Sequence, residues 1–141
     1  VRTWTYDLDS DKYSPLTPEG ARGSQVSPDG HWFVLADSHG KSLAPVDGGP
    51  LRALTQLEKG EAVLRWSADG RQLFLQKPEG DAIKISRLDI ISGRKEPWQT
   101  LKVPEPGAEF IGAFALSADG KACAFSFQHD LANLYLVNGL K

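Results

Sequence analysis

The chain has 141 residues, 40% of them apolar, which suits one ordinary domain with a core and excludes a disordered segment. Its formal net charge is −2, and lysines and arginines are scattered instead of striped, so it carries no electrostatic footprint for DNA or RNA. Apolar runs of a few residues fall far short of the roughly 20 that cross a bilayer, and the N-terminus lacks the basic-then-apolar pattern of a signal peptide; no membrane insertion by this segment is expected.

In chain order, Arg2–Leu8 and Tyr13–Thr17 read as two strands, the third and fourth of a four-stranded unit. Between them Asp7, Asp9 and Asp11 repeat at alternate positions, like the first half of a calcium loop. Lys12 stands where such a loop needs its turn glycine, and Pro18 where it needs a bidentate glutamate. A solvated hairpin tip is therefore expected, and no metal or other cofactor.

Ser27-Pro28-Asp29-Gly30 then leads into a second strand at His31–Ala36, a short third at Lys41–Val46 after the His39-Gly40 turn, and a fourth at Leu51–Thr55 after Gly48-Gly49. The next unit starts with Ala62–Trp66, turns through Ser67-Ala68-Asp69-Gly70, and continues in Arg71–Gln76, Ile83–Leu88 and Pro97–Leu101. Its Pro-rich linker, residues 103–107, is expected to absorb most of the extra length of this unit. Phe110–Leu116, Ser117-Ala118-Asp119-Gly120, Lys121–Phe127 and Asn133–Val137 open a further unit. No segment sustains a 3.6-residue apolar period with capping signals, so helix content should be minimal.

The three Ser-x-Asp-Gly motifs start 40 and then 50 residues apart, the spacing of roughly 40 to 50 residues expected of four-stranded propeller blades. The agreement extends to aligned apolar columns: Val26, Trp66 and Leu116; Phe33, Leu73 and Cys123; Leu35, Leu75 and Phe125. In each motif the aspartate is suited to accept backbone N–H bonds and the glycine to supply the positive φ of a two-residue hairpin. Asp29, Gly30, Asp69, Gly70, Asp119 and Gly120 are accordingly read as turn formers in separate blades, not as an acidic catalytic set.

The expected fold is all-β, with antiparallel four-stranded blades amounting to about three blades, a half-propeller. Residues 1–26 form a partial blade, 27–66 and 67–116 two repeats, and 117–141 a second partial blade. The leftovers of 26 and 25 residues together make one repeat. Closed propellers have about four to eight blades, so three do not close alone. Either the chain is a segment of a longer propeller, as its start at Val1 without any methionine suggests, or two copies complete a six-bladed homodimer. The expected partner for closure is correspondingly the remainder of the parent propeller or a second copy.

Chemistry-bearing residues give no catalytic pattern. His31, His39 and His129 fall at or beside turns of different blades without zinc-site spacing, and no Gly-x-Ser-x-Gly elbow occurs. Cys123, aligned with Phe33 and Leu73, is expected to be a small buried residue, and a single cysteine forms no internal disulfide. Trp66 aligns with apolar residues and is assigned to the core. Trp32 and Trp98 remain as candidate contacts for a protein or peptide ligand.

Ser27-Pro28-Asp29-Gly30, Leu16-Thr17-Pro18-Glu19-Gly20 and Leu134-Tyr135-Leu136-Val137 together resemble the TolB-type, WD-like β-propeller repeats of bacteria, over nearly the whole chain. The resemblance implies a non-catalytic binding scaffold, a sensor or interaction segment of a larger protein, and a periplasmic or extracytoplasmic location. The final nine residues look like the last blade of kinase- or regulator-linked members, although no kinase or helix-turn-helix motif is present. Two other roles stay open: a substrate-gating propeller of a prolyl-oligopeptidase-like peptidase, and a self-assembling half-propeller.

Overall fold

The computed structural model describes residues 1–102, 109–117 and 119–128, and these contain twelve strands and no helix. The linker at 103–107, His129 and the strand expected at 133–137 lie outside the described residues.

Strands β1 (Trp4–Asp7) and β2 (Lys12–Pro15) form a two-stranded antiparallel hairpin. Next, β3 (Arg22–Val26), β4 (Trp32–Asp37), β5 (Gly40–Pro45) and β6 (Arg52–Ala53) make a four-stranded antiparallel meander. A second meander follows in β7 (Ala62–Trp66), β8 (Gln72–Glu79), β9 (Ala82–Asp89) and β10 (Lys95–Lys102). Finally β11 (Glu109–Leu116) pairs with β12 (Cys123–Gln128) across the third Ser-x-Asp-Gly motif, as β3 pairs with β4 and β7 with β8 across the first two.

Burial follows from this layering. The second strand of each full sheet carries three consecutive buried apolar residues, Phe33-Val34-Leu35 and Leu73-Phe74-Leu75. Successive strand residues point to opposite faces, so such a run requires cover on both sides. Phe33 and Leu35 pack with Ala21 and Ala44 under Leu16. Val34, Leu43 and Leu54 meet Trp66, Leu73, Leu75 and Leu88 between the two full sheets. Phe74, Ile83 and Ile85 meet Leu116, flanked by Trp98 and Phe114. The core is thus a set of seams between successive sheets. Because β7 also contacts both β3 and β11, the first strands converge and the sheets radiate from them, as propeller blades do.

The motif hairpin is larger than the sequence suggests. Ser27 N–H donates to the Trp32 carbonyl at 2.8 Å and Gly30 N–H to the Ser27 carbonyl at 2.9 Å, so four residues, Pro28–His31, lie between the paired ends. Side chains explain the difference. The Ser27 hydroxyl accepts the Trp32 N–H at 2.9 Å and donates to Asp29 Oδ1 at 2.5 Å, and that same oxygen accepts the His31 N–H at 3.1 Å. Ser67 and Asp69 repeat this set at 2.9, 2.6 and 3.1 Å, and Ser117 and Asp119 at 3.0, 2.6 and 3.1 Å. The Ser hydroxyl and then the backbone N–H hold all three carboxyls below their ordinary range.

Two further corrections concern length. The extra residues of the second full unit lie largely in its strands: β8, β9 and β10 have eight residues each, against six, six and two in β4, β5 and β6. Pro78, past the strand expected at Arg71–Gln76, pairs with Ile83 inside β8. It lies past the last β7 pairing, Ala62 with Gln76, so no ladder bond needs its missing N–H on that side. In the first unit the fourth strand has two residues, and Leu54, which follows it, is buried in the core.

Column alignment overstates burial at both ends. Val26 is 56% exposed where Trp66 is 3% exposed. The column faces the preceding sheet, as the Trp66 indole bond to the Gln25 carbonyl shows at 2.6 Å, and before Val26 only the hairpin β1–β2 is described. Cys123 is exposed instead of buried, at the rim of a cleft of about 150 Å³ left between the last two sheets beside Leu116 and Trp98. On the hairpin, Trp4, Tyr6 and Tyr13 are also exposed, with the two tyrosine rings 4.6 Å apart.

Candidate functional site

A groove of about 510 Å³ opens on the second full sheet beside the loop that enters it, a volume within the range of ligand sites. Its floor comes from β8, β9 and β10, whose same-face residues Lys77, Lys84, Ser86 and Thr100 continue outward from buried Leu73, Leu75 and Leu88. Alternation along long strands places these polar residues beyond the reach of the first sheet.

The loop is tied down by charge. Lys95 Nζ lies 2.7 Å from Glu58 Oε1 and 3.1 Å from Glu61 Oε2, and Lys77 Nζ lies 2.9 Å from Glu58 Oε2. Glu61 is buried, and it accepts the Glu58 N–H at 2.7 Å while its own carbonyl accepts Lys41 Nζ at 2.6 Å. At the outer end, Lys84 pairs with Glu79. The hydrogen bonds from Lys95 and Lys77 hold the Glu58 carboxyl down at about 2. Hydrogen bonding to Glu58 in turn raises Lys77. For Lys95, burial pushes downward, and the bonds to Glu58 and Glu61 outweigh it.

Trp98 borders the groove, with its ring packed toward the opposite face of the sheet. It sits where the β9–β10 register shifts between Pro97 and Gln99, a bulge that re-aims its side chain at the sheet's outer edge. Its ring packs on Phe74 with centroids 5.0 Å apart, and the Arg87 guanidinium lies 5.9 Å from its centroid. A Cβ on Gly120 of the next sheet would come within 3.3 Å of Trp98. The tryptophan therefore joins the groove to the seam behind it. Trp32, the other candidate, is half-buried against the seam between the two full sheets and lies outside the groove.

Of the two tryptophans that the sequence offers as candidates, Trp98 lies at the groove; its charged neighbours were not singled out. Glu58, Lys77 and Lys95 are far apart in the chain, and only strand register brings them together. Opposing charges at Glu58-x-x-Glu61 and on one strand face were the available signal, visible once β8 and β10 are given their full lengths.

The arrangement holds charge and an aromatic surface but no nucleophile with its base. Ser38 Oγ is 3.4 Å from His39 Nδ1, yet the same nitrogen faces Asp37 at 3.7 Å, all within one exposed turn. Asp7 Oδ1 accepts the N–H groups of Asp9 and Ser10 at 2.9 and 2.8 Å, closing its own hairpin. Among the described residues no group of three His, Cys, Asp or Glu side chains could hold a metal ion.

The carboxyls also set a pH dependence. Glu58, Asp29, Asp69 and Asp119 all titrate lower in the folded chain. Their contribution is complete above the ordinary carboxyl values and is lost as pH falls through the lowered ones. Thermal midpoints followed by differential scanning fluorimetry should be flat from pH 7 to about 5 and fall below about 4. Glu58→Gln should make the decline shallower; identical acid slopes in the two chains would count against the network.

The fold is that of a TolB-like β-propeller. The structure aligns with TolB from Acinetobacter baumannii at a TM-score of 0.57 and 19% identity, over 86% of this chain and 36% of that one. A TolB-type protein of Agrobacterium tumefaciens aligns at 0.54 and 20%, over 72% of this chain and 42% of that one. The chain thus spans less than half the length of either structure. No protein-family model and no curated protein matches it.

Proposed function

We propose that this chain is a non-catalytic peptide-binding scaffold, a sensor or interaction segment whose groove beside Trp98 receives a partner segment carrying charges of both signs. The observation that supports this reading is the groove itself: three lysines and three glutamates line it together with Trp98, on one sheet and the loop that enters it. Mixed charge at a rim gives orientation and register more than raw affinity, and a tryptophan supplies the anchoring area.

Lys84 and Glu79 are the exposed pair of the groove, each more than half accessible along its side chain. They can exchange their mutual contact for contacts to a ligand at little cost, since exposed ion pairs contribute about 0–1 kcal/mol. The pair of Lys95 with Glu61 is more enclosed and serves to fix the loop.

A displayed peptide library selected on the immobilised chain tests the reading. Selected peptides should contain both acidic and basic residues and should lose at least tenfold in affinity on Trp98→Ala, or on Lys84→Glu, which leaves the core untouched. Absence of enrichment, or peptides indifferent to both substitutions, would reject the groove as the binding site.

A further inference from the structure

A second cleft, also about 510 Å³, lies where the first strands of three successive sheets converge. β3 contributes Gln25 and Val26, β7 contributes Leu64, Arg65 and Trp66, and β11 contributes Phe114 and Leu116. Apart from Gln25 and Arg65, these linings are apolar.

Arg65 holds an uncompensated charge there. Its Nε donates to the Trp66 carbonyl at 3.1 Å and its Nη1 to the Leu116 carbonyl at 2.5 Å. No carboxylate among the described residues lies within ion-pair distance of it, whereas the partly buried Lys77 and Lys95 have such partners. The cleft lining contains no acidic residue at all. Two carbonyls fix the orientation of the guanidinium and leave Nη2 with both of its hydrogens for another acceptor.

The neighbouring strand is shaped to keep that space open. Gln25 is the extra residue at the β3–β4 register shift and has φ +46°, in the left-handed region. Its carbonyl takes the Trp66 indole N–H at 2.6 Å, and its side chain remains exposed on the cleft. The cleft therefore presents one pinned cation and one amide above an apolar wall.

We propose that this convergent cleft binds the carboxylate of a short peptide, with Arg65 Nη2 as the donor and with Val26, Leu64 and Phe114 receiving an adjoining apolar side chain. A carboxylate is the acceptor that a planar guanidinium recognises most directly through charge-assisted hydrogen bonds, and the attraction is strengthened where the surroundings exclude water. The site shares no residue with the groove beside Trp98 and stands whether or not that groove binds a peptide.

The test uses the whole chain and three dansylated tripeptides read by fluorescence anisotropy: Leu-Asp-Leu-amide, Leu-Leu-Leu with a free C-terminal carboxylate, and neutral Leu-Asn-Leu-amide. At least one of the two acidic probes should bind at least tenfold tighter than the neutral one. Which of them does so identifies a side-chain or a terminal carboxylate as the source. The preference should vanish in Arg65→Gln and survive in Lys12→Gln, on the exposed first hairpin. Because Arg65 also bridges two sheets, a footprint on the native chain accompanies the variant: phenylglyoxal modification of Arg65, mapped by mass spectrometry, should slow at least threefold with the tighter acidic probe and not with the neutral one. Equal binding of all three probes, a preference retained in Arg65→Gln, or unaltered labelling of Arg65 would each overturn the proposal.

Discussion

Replacing Trp66 by alanine should lower the unfolding free energy by about 3–5 kcal/mol, the range for truncating a large buried aromatic residue. Trp66 is 3% exposed and packs into the seam between the two full sheets with Val34, Leu43, Leu73 and Leu75. Its indole N–H also bonds the Gln25 carbonyl across that seam. Phenylalanine separates the two contributions: Trp66→Phe keeps most of the apolar contact and loses the bond, for about 1–2 kcal/mol. Urea denaturation followed by far-ultraviolet circular dichroism measures both. A loss below about 1 kcal/mol for alanine would mean that the two sheets are not held together at this seam. The prediction is specific to this position of the repeat, since Val26, the residue aligned with it, is largely exposed and its truncation should cost little.

Legibility of the sequence followed the range of the forces involved. The motif turns, the strand runs after them and the consecutive apolar residues of β4 and β8 are local consequences of residue type, and the repeat multiplies the signal. Loop length in those hairpins was misjudged because it depends on a hydroxyl bridging residues five apart, which the pattern of Asp and Gly alone does not reveal. Burial at Val26 was misjudged for a different reason: an apolar column records which face a side chain occupies, and the cover comes from the neighbouring sheet. The groove was the least legible feature. Trp98 sits at a bulge, and the groove's charges come from three strands and a loop that only register unites. Arg65 was equally silent, since a single arginine in a strand becomes notable only when its surroundings prove to lack a carboxylate.

Gly70→Val should destabilise the chain by about 1–2 kcal/mol, the cost of placing an L-residue in the left-handed region. The φ at Gly70 is +69°, and its N–H closes the turn onto the Ser67 carbonyl at 3.0 Å. A Cβ at this position would meet only Pro28 Cδ, at 3.7 Å, an ordinary contact. The penalty is therefore conformational and not one of crowding, which distinguishes Gly70 from Gly120, where Trp98 stands closer. Asparagine tolerates the left-handed region better than most residues, so Gly70→Asn should lose less than half as much as valine if backbone conformation sets the cost. If instead valine and asparagine were equally disruptive in urea denaturation, side-chain contacts would be responsible and the turn assignment would fail. The same comparison at Gly30, whose Cβ position is open, should reproduce the Gly70 result, because both turns are built by the same serine and aspartate bonds.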